Sequence, residues 1–257
     1  MAVLDRKLYR DVVRMWAQVL AVALVMACGV ATIIIAIGAS RSLEETRATF
    51  YERYRFGNIF AGAVRAPLTL RDEISSISGV NVVELRIVSP VLLDIDGMQE
   101  PGTAIAVSIP DNGEPAVNRL YLRSGRMPEP GRPGEVAVTE PIASAHHMTP
   151  GTEFRTVMNG KRLVLTVTGI VLTPEYVYAL GPGDMVPDQR RFGVFFMPKT
   201  AMAGLFNMEG AFNDVSLRTV RGANSDNVID ALDVVLKPYG GTGARDRTGQ
   251  ISHQFLD

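Results

Sequence analysis

The 257-residue chain carries 26 lysines and arginines against 27 aspartates and glutamates, and 47% of its residues are apolar. That balance provides no basic field for nucleic acid and no acidic tail, so a nucleic-acid partner is not expected. The only cysteine is Cys28; everything beyond residue 40 therefore has no disulfide and must hold itself together by its core, for which its length is ample.

In residues 1–14, Leu4, Leu8 and Val12 recur every four positions among Asp5, Arg6, Lys7, Arg10 and Asp11. The spacing fits either a short amphipathic helix lying on the membrane surface or the first turns of a longer helix. From Met15 to Ser40 no charged residue occurs, and Arg14 and Arg41 close the two ends. As a helix this run measures about 39 Å, enough to cross a hydrocarbon core with some tilt. A soluble core helix is seldom apolar around its whole circumference. A cleaved leader with Ala36-Ile37-Gly38 as its processing site would have a shorter apolar stretch. Basic residues before the span (Arg6, Lys7, Arg10, Arg14) are matched by Arg41, Arg47, Arg53 and Arg55 after it. The short tail weighs more than the long domain, which favours a cytoplasmic N-terminus. Ala23, Ala27 and Ala31 form a smooth stripe along the span, suited to close packing of another helix.

Beyond the span, Ser42-Leu43-Glu44-Glu45 has the form of a capping box, and Leu43, Phe50 and Tyr54 continue at helical intervals to about Arg55, so that the span is expected to run on into a stalk. A strand is expected near 58–64, then a helix with Leu70, Ile74 and Ile77 on one face. Next comes a strand in which Val83, Leu85 and Ile87 alternate with Glu84 and Arg86. The far end mirrors this unit, with a strand over Asp214 to Arg218 and a helix capped by Ser225. That helix aligns Val228, Leu232 and Val235 and stops at Pro238 and Gly240. The two ends read as halves of one α/β layer. Between them, from about 118 to 198, Gly125, Pro128, Gly131, Pro133, Gly134, Pro150, Gly151 and Asn159-Gly160 punctuate short runs such as 134–138 and 163–171, which predicts a β-rich insertion.

Within that plan stand Leu122-Arg123-Ser124-Gly125-Arg126, Gly134-Glu135-Val136-Ala137-Val138-Thr139-Glu140, Pro150-Gly151-Thr152 and Val167-Thr168-Gly169-Ile170-Val171. By their order and spacing after a single span and a stalk, the chain resembles the first span and periplasmic core domain of ABC transporter permeases of the MacB, FtsX and lipoprotein-release type. The resemblance implies an α+β fold: a transmembrane helix at 15–40 after a cytoplasmic segment at 1–14, then an extracytoplasmic domain at 41–257. That domain would divide into a porter-like α/β part at about 56–117 and 199–257 and a β-rich inserted lobe at about 118–198. It further implies residence in the bacterial inner membrane, a separate cytoplasmic P-loop ATPase subunit, remaining permease spans or a second permease chain, contact with membrane lipid, and a periplasmic partner protein. The expected role is conversion of cytoplasmic ATP hydrolysis into movement of the extracytoplasmic domain, for export or for lipoprotein or peptide extraction. A membrane-anchored adaptor, sensor or scaffold working by protein contacts is the alternative.

No Gly-x-x-x-x-Gly-Lys-Ser/Thr loop occurs, so ATP binding of the P-loop kind must come from a partner, and no cofactor is expected. Gly240-Gly241-Thr242-Gly243 follows a helix instead of opening one and reads as a turn. His146 and His147, adjacent in sequence, diverge on either a helix or a strand, which is poor geometry for one metal. Ser144 beside His146 has no orienting acid nearby, and no enzyme activity is expected. The loop from Thr173 to Arg191 is long, broken by prolines and glycines, and carries the candidate partner contacts Tyr176, Tyr178, Asp184, Asp188, Arg190 and Arg191. The tyrosines would anchor and an arginine would pair with a partner carboxylate.

Overall fold

The computed structural model describes residues 3–249 other than 96, 99, 178 and 182–185. The chain forms two units, Met1–Phe50 and Tyr51–Asp257.

The first unit is helical. Helix α1 (Val3–Arg14) is followed, after a one-residue break at Met15, by α2 (Trp16–Arg53). At the break the Met15 N–H still reaches the Asp11 and Val12 carbonyls, at 3.0 and 3.2 Å, and its own carbonyl accepts from Gln18 and Val19. Among the described residues α2 is the one helix long and apolar enough to cross a membrane, and none of its apolar window is buried. Ala23, Ala27 and Ala31 lie on it, all exposed. The box expected at Ser42 to Glu45 is not a helix start, because the chain is already helical upstream and leaves no orphan N–H groups there to cap. Hydroxyls in this stretch instead bond back one turn, Ser40 to the Ala36 carbonyl at 2.9 Å and Thr46 to the Ser42 carbonyl at 2.7 Å.

In the second unit the strands and helices run β1 (Ile59–Pro67), α3 (Leu70–Ser76), β2 (Val80–Arg86), β3 (Val88–Asp94), β4 (Gly102–Ile109), β5 (Tyr121–Gly125), β6 (Glu135–Thr139), α4 (Glu140–Ala145), β7 (Glu153–Met158), β8 (Lys161–Leu172), β9 (Phe192–Pro198), α5 (Lys199–Phe206), β10 (Ala211–Thr219), α6 (Ser225–Leu236) and β11 (Arg245–Asp246). The first sheet has the order β11-β1-β10-β2 and is antiparallel throughout. Strands β1 and β2 thus run the same way with β10 between them, as do β10 and β11 with β1 between them. These are two interlocked split β-α-β units. Helices α3 and α6 bring Leu70, Ile74, Val228, Leu232 and Leu236 onto Ile59, Ala61, Val83, Leu85, Val215 and Leu217. The cap of α6 is Asn224, one residue before the expected Ser225: its side chain accepts from the Asp226 and Asn227 N–H groups.

The strand β2 alternates as expected, but its polar residues do not face solvent. Glu84 and Arg86 are buried along with Val83 and Leu85, because the second sheet and its loops cover the face opposite the helices. That second sheet has the order β5-β8-β6-β9-β4-β3-β7, and pairing of β7 with β8 closes six of its strands into a barrel. Strands β3 and β4 pair with β7 and β9, not with the first sheet. The change of sheet therefore falls between Arg86 and Val88, well before the boundary expected near residue 118. Long-range pairing decides it; the apolar runs at 88–94 and 102–109 suit either sheet. The Asn159-Gly160 turn, with φ of +47° and +74°, joins β7 to β8 as a two-residue hairpin.

Candidate functional site

The four sequence motifs converge where β5, β6 and β8 meet. Gly125 and Gly169 face each other in the β5–β8 register. A Cβ on Gly169 would lie 2.4 Å from the Arg126 carbonyl oxygen, so only glycine lets the two backbones approach this closely. Arg126 then forks onto Glu135 at 2.7 and 2.5 Å, while Arg132 and the Glu129 N–H also donate to that carboxylate. The Arg126 bond is the main cause holding the Glu135 carboxyl down at about 2, opposed by burial. The Gly151 N–H donates to the Val167 carbonyl at 2.7 Å and brings in the Pro150-Gly151-Thr152 segment. The motifs therefore build one structural junction at the end of the barrel.

A second cluster lies on the face of the first sheet away from its helices. Asp214 of β10 is in register with Arg86 of β2. Arg86 donates Nε to Asp214 at 2.7 Å, and Nη1 and Nη2 to Glu175 at 2.5 and 2.8 Å. Arg86 and Glu175 have side-chain exposures of only 6% and 5%, against 22% for Asp214. Asn118, buried in the left-handed region at φ +56°, donates to Glu175 at 2.6 Å and accepts the Gly57 N–H at 2.7 Å. The Asn118 and Arg119 N–H groups donate to the carbonyls of Arg55 and Tyr54, which follow directly on α2. Nearby, Arg247 stacks over Tyr51 and Phe56 and donates to the Phe56 and Gly57 carbonyls, and Arg218 pairs with Glu52 at 2.8 Å. The exit of the stalk helix, the first sheet and the Glu175 segment after β8 are thus tied at one buried point.

An open cleft of about 610 Å³ lies elsewhere on the barrel, lined by Gly97, Met98, Glu100, Ala145, His146, His147, Arg190 and Arg191. His146 Nε2 meets the Arg190 carbonyl at 2.8 Å and so carries the proton that it donates. Arg191 pairs with Glu100 at 3.0 Å, and the Asp188 carboxylate accepts the Arg190 N–H at 3.0 Å. Among the described residues no three His, Cys, Asp or Glu side chains gather as a metal-binding group.

The cleft unites two features that are separate in the sequence, the histidine pair and the arginines of the 173–191 loop. Tyr176 stands apart, edge-on to Phe196 at 6.5 Å. Tyr178 and Asp184 lie outside the described residues. Sequence reasoning missed Arg86, Asn118, Glu175 and Asp214 as a group; the one available signal is that β2 and β10 both carry charge in the interior of strands.

No protein-family profile and no curated protein matches the chain. Solved structures do. The periplasmic region of MacB from Actinobacillus actinomycetemcomitans is 11% identical with a TM-score of 0.43, covering 76% of this chain and 91% of its own. The extracellular domain of the noncanonic ABC-type transporter YknZ from Gram-positive bacteria is 12% identical with a TM-score of 0.46, covering 74% and 98%. A domain of a protein designated a permease from Porphyromonas gingivalis is 12% identical with a TM-score of 0.37, covering 72% and 84%.

Proposed function

We propose that the chain is the N-terminal portion of an ABC transporter permease in the bacterial inner membrane. ATP hydrolysis by a cytoplasmic P-loop partner would move its extracytoplasmic domain, for export or for lipoprotein or peptide extraction. The observation that carries this reading is α2: one unbroken helix from Trp16 to Arg53, apolar at first and polar later, whose last residues are bonded into the domain through Glu52 and Tyr51. A helix without a break at the membrane boundary suits transmission of tilt, whereas a passive anchor needs no such continuity. The Ala23, Ala27, Ala31 stripe would receive a further span, from the same permease or a second chain. The first sheet with α3 and α6 would act as the porter-like part, and the barrel, which includes β3 and β4, as the part that meets a periplasmic partner. Tyr176, Tyr178, Asp184, Asp188, Arg190 and Arg191 are the proposed contacts, with Arg190 and Arg191 at the cleft.

The test is a proline pair placed within 40–42. Transport by the native system should fall to background while membrane insertion is retained; retained transport would overturn the mechanism. Extraction in mild detergent through a tag at Asp257 should bring a P-loop ATPase and a multi-span permease chain. The adaptor alternative predicts instead that a generic leucine-rich anchor replaces the span without loss of function.

A further inference from the structure

At the buried cluster two carboxylates, Glu175 and Asp214, share one guanidinium, so the group carries an excess of negative charge away from water. The sharing is unequal. Both oxygens of Glu175 are held by Arg86, and one of them also by the amide of Asn118, whereas Asp214 meets the guanidinium through Oδ1 alone, 2.7 Å from Nε and 2.6 Å from Nη2, and is the more exposed carboxylate. A proton arriving at the cluster has one place to go that does not break the Arg86–Glu175 fork, and that place is Asp214.

We propose that Arg86, Glu175, Asp214 and Asn118 form a proton-responsive latch, in which protonation of Asp214 leaves Arg86 wholly to Glu175 and tightens the hold of the first sheet and stalk exit on the segment after β8. The groups facing Asp214 are Arg86 from β2, Glu175 and Tyr176 from that segment, and Arg245 from β11. Burial pushes the Asp214 carboxyl up; Arg86 pulls it down, Glu175 pushes it up again and Arg245 pulls it down, with the balance upward. A carboxyl raised in the folded state contributes stability that is fully present below its unfolded value and is lost as pH rises through its folded value. The latch is therefore tighter when Asp214 is protonated than when it is ionised, and it loosens as pH rises through the folded value. It stands independently of the transport reading, since it concerns only how this domain holds together.

The test uses the full chain in detergent micelles, with thermal unfolding followed from about pH 8 to about pH 4 for the wild type and Asp214→Asn. Asparagine keeps the shape and one acceptor for Arg86 but cannot titrate. Asp214→Asn should melt higher than wild type at the alkaline end, and the gap should close as pH falls; a gap constant with pH, or of opposite sign, overturns the proposal. Hydrogen exchange of amides 173–177 gives a second readout. Exchange there should slow in the wild type on acidification, after correction for intrinsic rates, and not in Asp214→Asn. Glu175→Gln, which removes the charge that the fork holds, should speed exchange of the same amides about tenfold at either pH. An unchanged rate in Glu175→Gln would show that the segment is held by packing and would also overturn the latch.

Discussion

Two arginine–carboxylate clusters in the same domain use the same fork geometry under opposite conditions. Arg86 grips Glu175 at 2.5 and 2.8 Å with only 6% of its side chain exposed. Arg126 grips Glu135 at 2.7 and 2.5 Å with 45% exposed. The inner cluster lies where water cannot replace a lost partner, so each member is there at the expense of desolvation and depends on all the others. The outer one lies at a barrel end where solvent is at hand, and there the close backbone approach of Gly125 and Gly169 does as much as the charges. Equal bond lengths therefore do not mean equal consequences; what surrounds the bond decides.

Arg86→Met breaks this comparison most directly. It leaves the buried Glu175 without its fork and Asp214 with only the field of Arg245, and should cost about 3 kcal/mol or more in denaturant unfolding, with a loss near 1 kcal/mol counting against the buried cluster as an organising element. Gly169→Ala comes next, because the added methyl meets the backbone at Arg126 and no side chain can move aside. We expect a loss of about 2 kcal/mol, and an unchanged melting temperature would mean that β5 shifts freely away from β8. Arg126→Ala should cost less than either, since Arg126 is exposed and Arg132 and the Glu129 N–H still serve Glu135.

Its sharper signature is in acid. The Glu135 carboxyl is held down at about 2 from 4.5, so its contribution is present above about pH 4.5 and is lost as pH falls toward about pH 2. In Arg126→Ala that acid loss should shrink, as a pH titration of unfolding would show. Arg190→Ala is the smallest, within about 0.5 kcal/mol, since its guanidinium has no partner among the described residues. Its effect should appear only in the partner capture proposed for the cleft.

The local parts of the fold were legible. The apolar run without charges gave α2, the four-residue spacing of Leu70 and Ile74 gave α3, and Asn159-Gly160 marked a turn, which the structure makes a hairpin with both residues left-handed. Less legible was anything that depends on what lies opposite. Glu84 and Arg86 alternate with apolar residues in the manner of a half-exposed strand, and only the arrival of the second sheet makes both faces buried. The box form of Ser42 to Glu45 marks no start, because the helix expected to run on from the span into the stalk is already under way there. The histidine pair and Arg190 and Arg191, 44 residues apart by the His146–Arg190 bond, gave no hint that they would line one cleft.

The sequence by itself determined the elements governed by neighbours along the chain: the long apolar helix, the helix faces, the turns, and the order of the four motifs. The tertiary structure alone decided that β3 and β4 join the barrel, that the motifs converge on Gly125 and Gly169, and that Arg86 is shared between Asp214 and Glu175. The physical reason is range. Helix and turn preferences are settled within a few residues, but strand pairing and the burial of charge are settled by partners such as Arg86 and Asp214, 128 residues apart.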